Sequence, residues 1–376
     1  MKKALLFLLA LALCGLLSLR FLPLPWLEPA VNVLPERLVL MLRPELMPPE
    51  TVDIPPPEPR ILEEPQPLWL GVKEKLKQMV SVYKFDSNDA LKADLKINQF
   101  NYLAAGADFI ATADVYDSEM IIFSPKLQFV RRWPMLTGIA KKMARPFSLA
   151  AFEDRIAALN RSGEIAIWDM HGRRLGRFRV KDKARDLAFL DRDRLLVVQT
   201  QPYPHVLAVY TLNGRKLKQF CPIDYPNPDE AEFLNEAYVS ISRRGRLALG
   251  FIHPYRLIFF DTSHRPERQL IIHPKFTVQP PIFRRQHGRI VQMVRQSIIY
   301  DVQWFQERLY VLVTPDQAKP ASYMDVFSPK GDFLERFYLP FPTLKMAVHG
   351  DFLYMIGYWP NYRIEAFRIE AIDDRS

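Results

Sequence analysis

The sequence predicts an all-β fold, a six-bladed β-propeller built of four-stranded antiparallel blades. Three observations lead there. A short strand ending in a bulky aromatic recurs as Met120–Phe123, Ile165–Trp168, Leu207–Tyr210, Leu257–Phe260, Met324–Phe327 and Ile364–Phe367. The copies lie roughly 40–50 residues apart, with one longer gap before the fifth, and that is the period of propeller blades. A turn recurs upstream of each copy, as Gly106-Ala-Asp108, Glu153-Asp-Arg155, Asp191-Arg-Asp193, Arg243-Arg-Gly245, Gln306-Glu307 and His349-Gly-Asp351. An apolar run follows every one of these turns, from Phe109-Ile-Ala111 in the first copy to Phe352-Leu-Tyr-Met355 in the last.

The unit is clearest between Asp193 and Phe220. Leu195–Val198 and Val206–Tyr210 are apolar strands separated by a loop rich in proline and aromatics. Asn213-Gly214 then predicts a type I′ hairpin turn, because both residues tolerate the positive φ that such a turn demands. A basic, partly apolar strand, Arg215–Phe220, closes the meander, and Arg185–Phe189 supplies its first strand. The last copy has no room for a fourth strand before Ser376. An open edge there would expose unpaired backbone groups. Met79–Phe85 alternates apolar and polar residues and has no partner in its own repeat, so it is expected to pair antiparallel with Tyr362–Ile369 and close the ring.

The phrases Leu309-Tyr-Val311, Val326-Phe-Ser-Pro-Lys-Gly331 and Arg363-Ile-Glu-Ala-Phe367 give the chain a likeness to a known group. Over about Val80 to Ile369 the pattern resembles the six-bladed propellers of the NHL and TolB-like superfamily. The resemblance implies architecture and leaves function open, since one fold hosts many functions. Among propellers of this kind, calcium-dependent lactonases hold a cation at the channel mouth with carboxylates and amides of the innermost strands. Asn101, Asp186, Glu236 and Asp301 are the matching residue types here, although no family motif surrounds them. Oxygen ligands of this sort suit a hard cation. The plainer reading is a set of polar side chains lining a wet channel, with no cofactor.

The N-terminus carries an address. Met1-Lys-Lys3 precedes an apolar run from Ala4 to Leu19, closed by Arg20. A basic start followed by a leucine-rich stretch is an export signal. Three outcomes stay open: an uncleaved anchor over residues 1–24 extended to Trp26, a signal peptide cleaved after Ala10-Leu-Ala12, or a lipoprotein acylated at Cys14. All three put the body outside the cytoplasm, in the periplasm or at the cell exterior. A net charge of +9 on 376 residues would otherwise suit nucleic acid; export makes that partner unexpected and leaves an anionic membrane, a glycan or an acidic protein. Residues 25–67 are proline-rich and read as an extended linker, followed by the propeller over 68–376. Cys221 is the one cysteine of the body, so no disulfide framework is expected and a packed core thiol is the simple account.

No P-loop, dinucleotide turn, HExxH or GxSxG motif is present. The distinctive features are loops between the second and third strands, which carry Tyr116, Tyr203, His205, His253, Tyr255, Tyr358, Trp359 and Tyr362. These loops share one face of a propeller, and aromatics of low conformational entropy are enriched at recognition surfaces. They are therefore the candidate ligand-binding cluster, with packing against neighbouring loops as the bland alternative. An insertion before the fifth repeat, Phe276–Ser297, holds Arg284, Arg285 and Arg289. Such a basic cluster fits an anionic glycan, a lipid head group or an acidic protein patch, or is a solvated face. The expectation is an exported, membrane-tethered binding module. A divalent-cation-dependent hydrolase acting on a sugar or lactone is the rival.

Overall fold

The computed structural model describes residues 50–52, 56–63, 79–86, 89, 100–135, 143, 145–181, 183–200, 204–223, 228–274, 276, 278–287, 289–314, 321–357 and 362–369. The chain divides into two compact units, Met1–Glu50 and Thr51–Ser376, and the second is the one described. The N-terminal apolar segment and most of residues 25–67 lie outside the described residues. Among the described residues, no helix is long and apolar enough to cross a membrane.

Three strands precede the repeats: β1 (Glu50–Val52), β2 (Pro59–Glu63) and β3 (Met79–Asp86). The first repeat is β4 (Phe100–Ala105), β5 (Ile110–Asp114), β6 (Glu119–Phe123) and β7 (Phe129–Pro134). The second is β8 (Pro146–Phe152), β9 (Arg155–Asn160), β10 (Glu164–Asp169) and β11 (Arg174–Arg179). The third is β12 (Ala184–Phe189), β13 (Arg194–Gln199), β14 (His205–Thr211) and β15 (Lys216–Pro222). A short helix, α1 (Pro228–Leu234), leads into β16 (Ala237–Ile241), β17 (Leu247–Phe251), β18 (Arg256–Phe260) and β19 (Pro266–His273). A separate hairpin follows, β20 (Ile282–Gln286) and β21 (Arg289–Val294). The chain ends in β22 (Ile299–Phe305), β23 (Arg308–Val313), β24 (Ala321–Phe327), β25 (Phe333–His349), β26 (Phe352–Gly357) and β27 (Arg363–Ile369).

Each repeat is an antiparallel meander in sequence order. The first strands pack in a cycle: β4 on β8, β8 on β12, β12 on β16, β16 on β22, β22 on β25 and β25 back on β4. A separate apolar cluster fills each gap between neighbouring sheets. Trp168 and Met120 sit in one of these clusters and Phe220 and Phe260 in another. Middle strands such as β5 and β10 are buried along their whole length, because both faces of each sheet meet a neighbour. Outer strands such as β11 alternate instead between exposed and half-buried positions. The fold is a β-propeller.

Two features depart from plain four-stranded sheets. β1 joins the outer edge of β15, and β2 runs parallel to β19, from Gln269 opposite Pro59 to His273 opposite Glu63. The proline-rich stretch is thus not linker throughout. Pro59 opens its strand, where a missing N–H is tolerated, and β2 lies at the sheet edge. β25 belongs to two meanders at once, pairing first with β24 and then, from Thr343, with β26. Pro340 and Pro342 fall where the strand changes partner, so neither removes a needed ladder bond. The closing strand is where the sequence predicts it: β3 pairs antiparallel with β27, from Asp86 opposite Arg363 to Met79 opposite Ile369.

The turns after the third strands correct one expectation. Of Asn213 and Gly214, only Gly214 has positive φ, at 89°. Its N–H bonds to the Thr211 carbonyl at 2.9 Å. This is a turn with a left-handed fourth residue and a bulge, not type I′. The same bond recurs from Leu127 to Ser124, Gly172 to Asp169, His264 to Asp261 and Gly331 to Ser328. The Asp or Ser at the first position bonds amides within its own turn, as Asp169 does with His171 and Arg173.

Candidate functional site: the turn-face funnel

Alternating strand direction puts the turns between first and second strands at one end of the ring. The loops between second and third strands, and the connections between repeats, lie at the other. At the turn end the first strands enclose a cavity of about 940 Å³, within the range of ligand clefts. Its wall is one repeated stretch: residues 103–107, 149–153, 187–190, 239–243, 303–307 and 347–351. These are the ends of the first strands together with the turns read from the sequence in every repeat but the third, where only the strand contributes. The space exists because the strands carry small residues at one shared position, Ala104, Ala150, Ala188, Ser240 and Ala347, with Gln303 the larger exception. That column was present in the sequence and would have been found by aligning the repeats on their turns for side-chain size rather than for apolarity.

The rim mixes charges. Arg243 donates to the Gly350 carbonyl at 3.3 Å, Arg244 lies 3.7 Å from Glu307 and Arg192 lies 3.8 Å from Glu153. His349 bridges the last repeat to the first through a 3.0 Å bond from Nδ1 to the Gly106 carbonyl. A carbonyl only accepts, so this nitrogen carries the proton.

Below the funnel the channel narrows to a cavity of about 30 Å³, lined by Tyr102, Ser148, Asp186, Asp301, Gln303 and Lys345 among others. Asp186 and Asp301 are therefore on the channel, as expected for innermost strands. Both carboxylates are engaged by neighbouring blades. Asp186 accepts from Ser148 Oγ at 2.5 Å and from the Val239 amide at 2.9 Å. Asp301 accepts from the Met346 amide at 2.8 Å and from Lys345 Nζ at 3.1 Å. Burial pushes the Asp301 carboxyl up, while Lys345 and the Met346 amide pull it back. Burial also disfavours the Lys345 ammonium, but Asp301, Tyr238 and Asp186 outweigh it and hold the amine above its ordinary value. Lys345 Nζ lies 3.6 Å from the centre of the Tyr238 ring. Glu236 pairs with Arg185 and Arg295, and Asn101 is half-buried on β4. Among the described residues no group of three or more His, Cys, Asp or Glu side chains is placed to hold a metal ion.

The aromatic loop residues do not act as one set. Tyr255 is 1% exposed, and its hydroxyl donates to Asp325 of the next meander at 2.7 Å. His253 is buried and bonds through Nδ1 to the Gln296 carbonyl at 3.2 Å. Both are interior contacts between neighbouring segments, not recognition surface. The physical reason is that each loop residue flanks a buried strand and fills the gap to the next sheet. Tyr116 is 63% exposed, and His205 and Tyr362 are half-buried. Tyr203, Tyr358 and Trp359 lie outside the described residues. In the insertion, Arg284 is exposed and donates to Gln292 at 3.3 Å. Arg285 pairs with Glu230 at 3.1 Å. Arg289 sits at the start of β21, with its side chain outside the described residues.

No family model matches the sequence, and no curated protein matches it. Among solved structures the chain is similar to the crystal structure of BamB from Moraxella catarrhalis, with a TM-score of 0.43 and 11% identity over 72% of this chain and 85% of that one.

Proposed function

We propose that this chain is an exported, membrane-tethered β-propeller of six blades, of the NHL and TolB-like kind, that binds a protein partner in the bacterial envelope through its turn-face funnel. The blade count follows if the seven-stranded sheet is divided within β25, which serves two meanders. The observation that carries the reading is the convergence of the first strands of all six repeats, with the turns of five of them, on one cavity. The channel carboxylates below it are committed to bonds that join neighbouring blades. That arrangement offers a shaped concave surface with a mixed-charge rim, which suits a protein loop, and it favours binding over chemistry. Export and tethering rest on the basic and apolar N-terminus.

The test is a photo-crosslinking residue placed at Asp351 on the funnel rim of the full chain in its native cells, with Leu175 on the outer edge of β11 as the comparison. A discrete adduct from position 351 is expected. It should be absent from position 175 and lost when Ala107→Trp narrows the rim. The same adducts from both positions, or an adduct indifferent to Ala107→Trp, would overturn the funnel as the site. A reporter fused to the C-terminus and active only outside the cytoplasm tests export; a silent fusion would refute it.

A further inference from the structure

The β20–β21 hairpin is the one two-stranded sheet among the described residues, and it is mounted firmly. Phe283 packs edge-on against Phe233 of α1, with ring centres 6.4 Å apart, and Arg285 pairs with Glu230 of the same helix. At its base Arg295 bonds the Phe233 carbonyl and Glu236. Gln296 receives the Gln279 amide at 3.3 Å, and its carbonyl receives the buried His253. One face is thus held to the body. The other presents aliphatic side chains to solvent: Ile282 is 59% exposed and Val294, its direct cross-strand partner, 40%. The register steps over Val291, which is turned outward and 57% exposed. Scattered single exposures are ordinary, but three β-branched residues on one short hairpin form a patch.

The hairpin's own sequence carries charge of one sign. No Asp or Glu occurs between Glu267 and Asp301, whereas Arg284, Arg285, Arg289 and Arg295 all fall there; Arg285 and Arg295 are paired with Glu230 and Glu236, and Arg284 stands exposed beside the patch. Aliphatic side chains flanked by arginines, without an exposed aromatic anchor, match an interfacial lipid-binding element: the aliphatics enter the acyl boundary and the guanidinium groups meet phosphates. A protein hot spot draws instead on tryptophan, tyrosine and arginine in desolvated pockets. The hairpin lies in the connection between repeats, at the end of the ring opposite the funnel.

We infer that the β20–β21 hairpin docks on an anionic phospholipid surface through Ile282, Val291 and Val294 with Arg284, which turns the funnel away from the membrane. The inference rests on the hairpin alone and stands whether or not the funnel binds a protein.

Hydrogen exchange on the full chain in nanodiscs tests it, comparing phosphatidylcholine alone with phosphatidylcholine mixed with phosphatidylglycerol. Using the full chain in both discs keeps any N-terminal insertion common to the two arms. Amides of residues 282–294 should exchange at least several-fold more slowly in the anionic discs, and salt should reverse the protection. The double change Ile282→Asp with Val294→Asp should abolish the difference. Arg284→Glu should reduce it several-fold. Because the altered residues are exposed, the variants should melt like the parent. Equal exchange in both discs would overturn the inference, as would protection that appears without lipid on adding an acidic protein. Loss of the funnel adduct with hairpin protection intact would refute the proposed function and leave this inference standing.

Discussion

Asp301 reaches across two neighbouring meanders to the backbone of Met346, accepting its amide at 2.8 Å. The other carboxylate oxygen holds Lys345 Nζ at 3.1 Å. Asp186 does the same two sectors away, accepting the Val239 amide while Ser148 donates from the preceding meander. Ser240 fills the sector between them by accepting the Trp304 amide at 2.9 Å. The first strands lie side by side without a shared ladder, so their facing amides need acceptors, and an unmet buried amide is costly. The channel side chains supply them. Residues of the kind that would hold a cation in a catalytic propeller here join one blade to the next.

Asp301→Ala should therefore cost about 3–5 kcal/mol, because it strands a buried ammonium as well as an amide. Adding Lys345→Met to that variant should restore part of the loss by removing the uncompensated charge. Urea unfolding of the single and double variants measures both. A loss below about 1 kcal/mol for Asp301→Ala, the range of an ordinary surface change, would show that the bonds are incidental.

Tyr255→Phe removes the donor to Asp325 at 2.7 Å and leaves Asp325 with Arg336 at 2.5 and 2.8 Å. A loss of about 1.5–3 kcal/mol is expected, as for a hydrogen bond to a charged group, with adduct formation at the funnel unchanged. A variant of unaltered stability that lost its partner would return Tyr255 to the recognition surface.

The contrast between Tyr255 and the ring itself shows what the sequence carries. Period, turn positions and the closing strand were legible because each is a local pattern: an apolar strand, a turn at a fixed offset, an alternating stretch with no partner of its own. Depth was not legible. Tyr255 and Tyr116 occupy matching loops, yet one lies beneath the next sheet and the other stands 63% exposed. Nor can a sequence show that the amide facing Asp186 belongs to Val239, which depends on how two blades abut. The conformation at Asn213-Gly214 was half legible: glycine marks the left-handed position, but the strand twist and the bulge at Tyr210 chose the turn. The strands β1 and β2 were hidden by the prolines around them.

Two histidines give the fold a pH dependence. Burial pulls His253 below the ordinary imidazole value, with Arg295 adding to it and the Gln296 carbonyl opposing. Burial likewise lowers His264, helped by Lys218 and Arg194, where its ring stacks 6.1 Å from Phe220. A histidine whose folded pKa is depressed binds fewer protons folded than unfolded between that value and the usual ~6.5. Stability is therefore whole above about pH 6.5 and falls as pH drops through that window. Melting midpoints from pH 7.5 to 5 should decline, less steeply in a His253→Gln, His264→Gln double variant. Parallel declines would assign the effect to other groups.

Cys221 is fully enclosed, and burial pushes its thiol up to about 12. Thiolate, the reactive form, is then scarce at neutral pH. Iodoacetamide should leave the peptide containing Cys221 unmodified in the native chain and modify it fully in urea, as read by mass spectrometry of digests. Rapid native labelling would mean that the third meander opens locally.

Ring closure yields the last prediction. β3 does more than cover an edge. Phe85 is buried and packs against Phe123 of the first meander, with ring centres 4.6 Å apart. Tyr83 lies 5.6 Å from Phe352 of the last. The cluster that contains Phe85 draws on β4, β5, β6, β26 and β27, so this strand joins the two ends of the repeat array without a covalent link. Removing it exposes the β27 ladder and opens a cavity in that cluster together. By contrast β1 and β2 add to outer edges, where Ile61 remains 59% exposed and little core depends on them. A chain starting at residue 68 should thus melt cooperatively at a modestly lower temperature than the full chain. A chain starting at residue 87 should lose cooperativity and aggregate through its open edge. In the full chain Phe85→Ala should cost about 3–5 kcal/mol. An unchanged cooperative melt for the chain starting at residue 87 would show that the ring holds without β3.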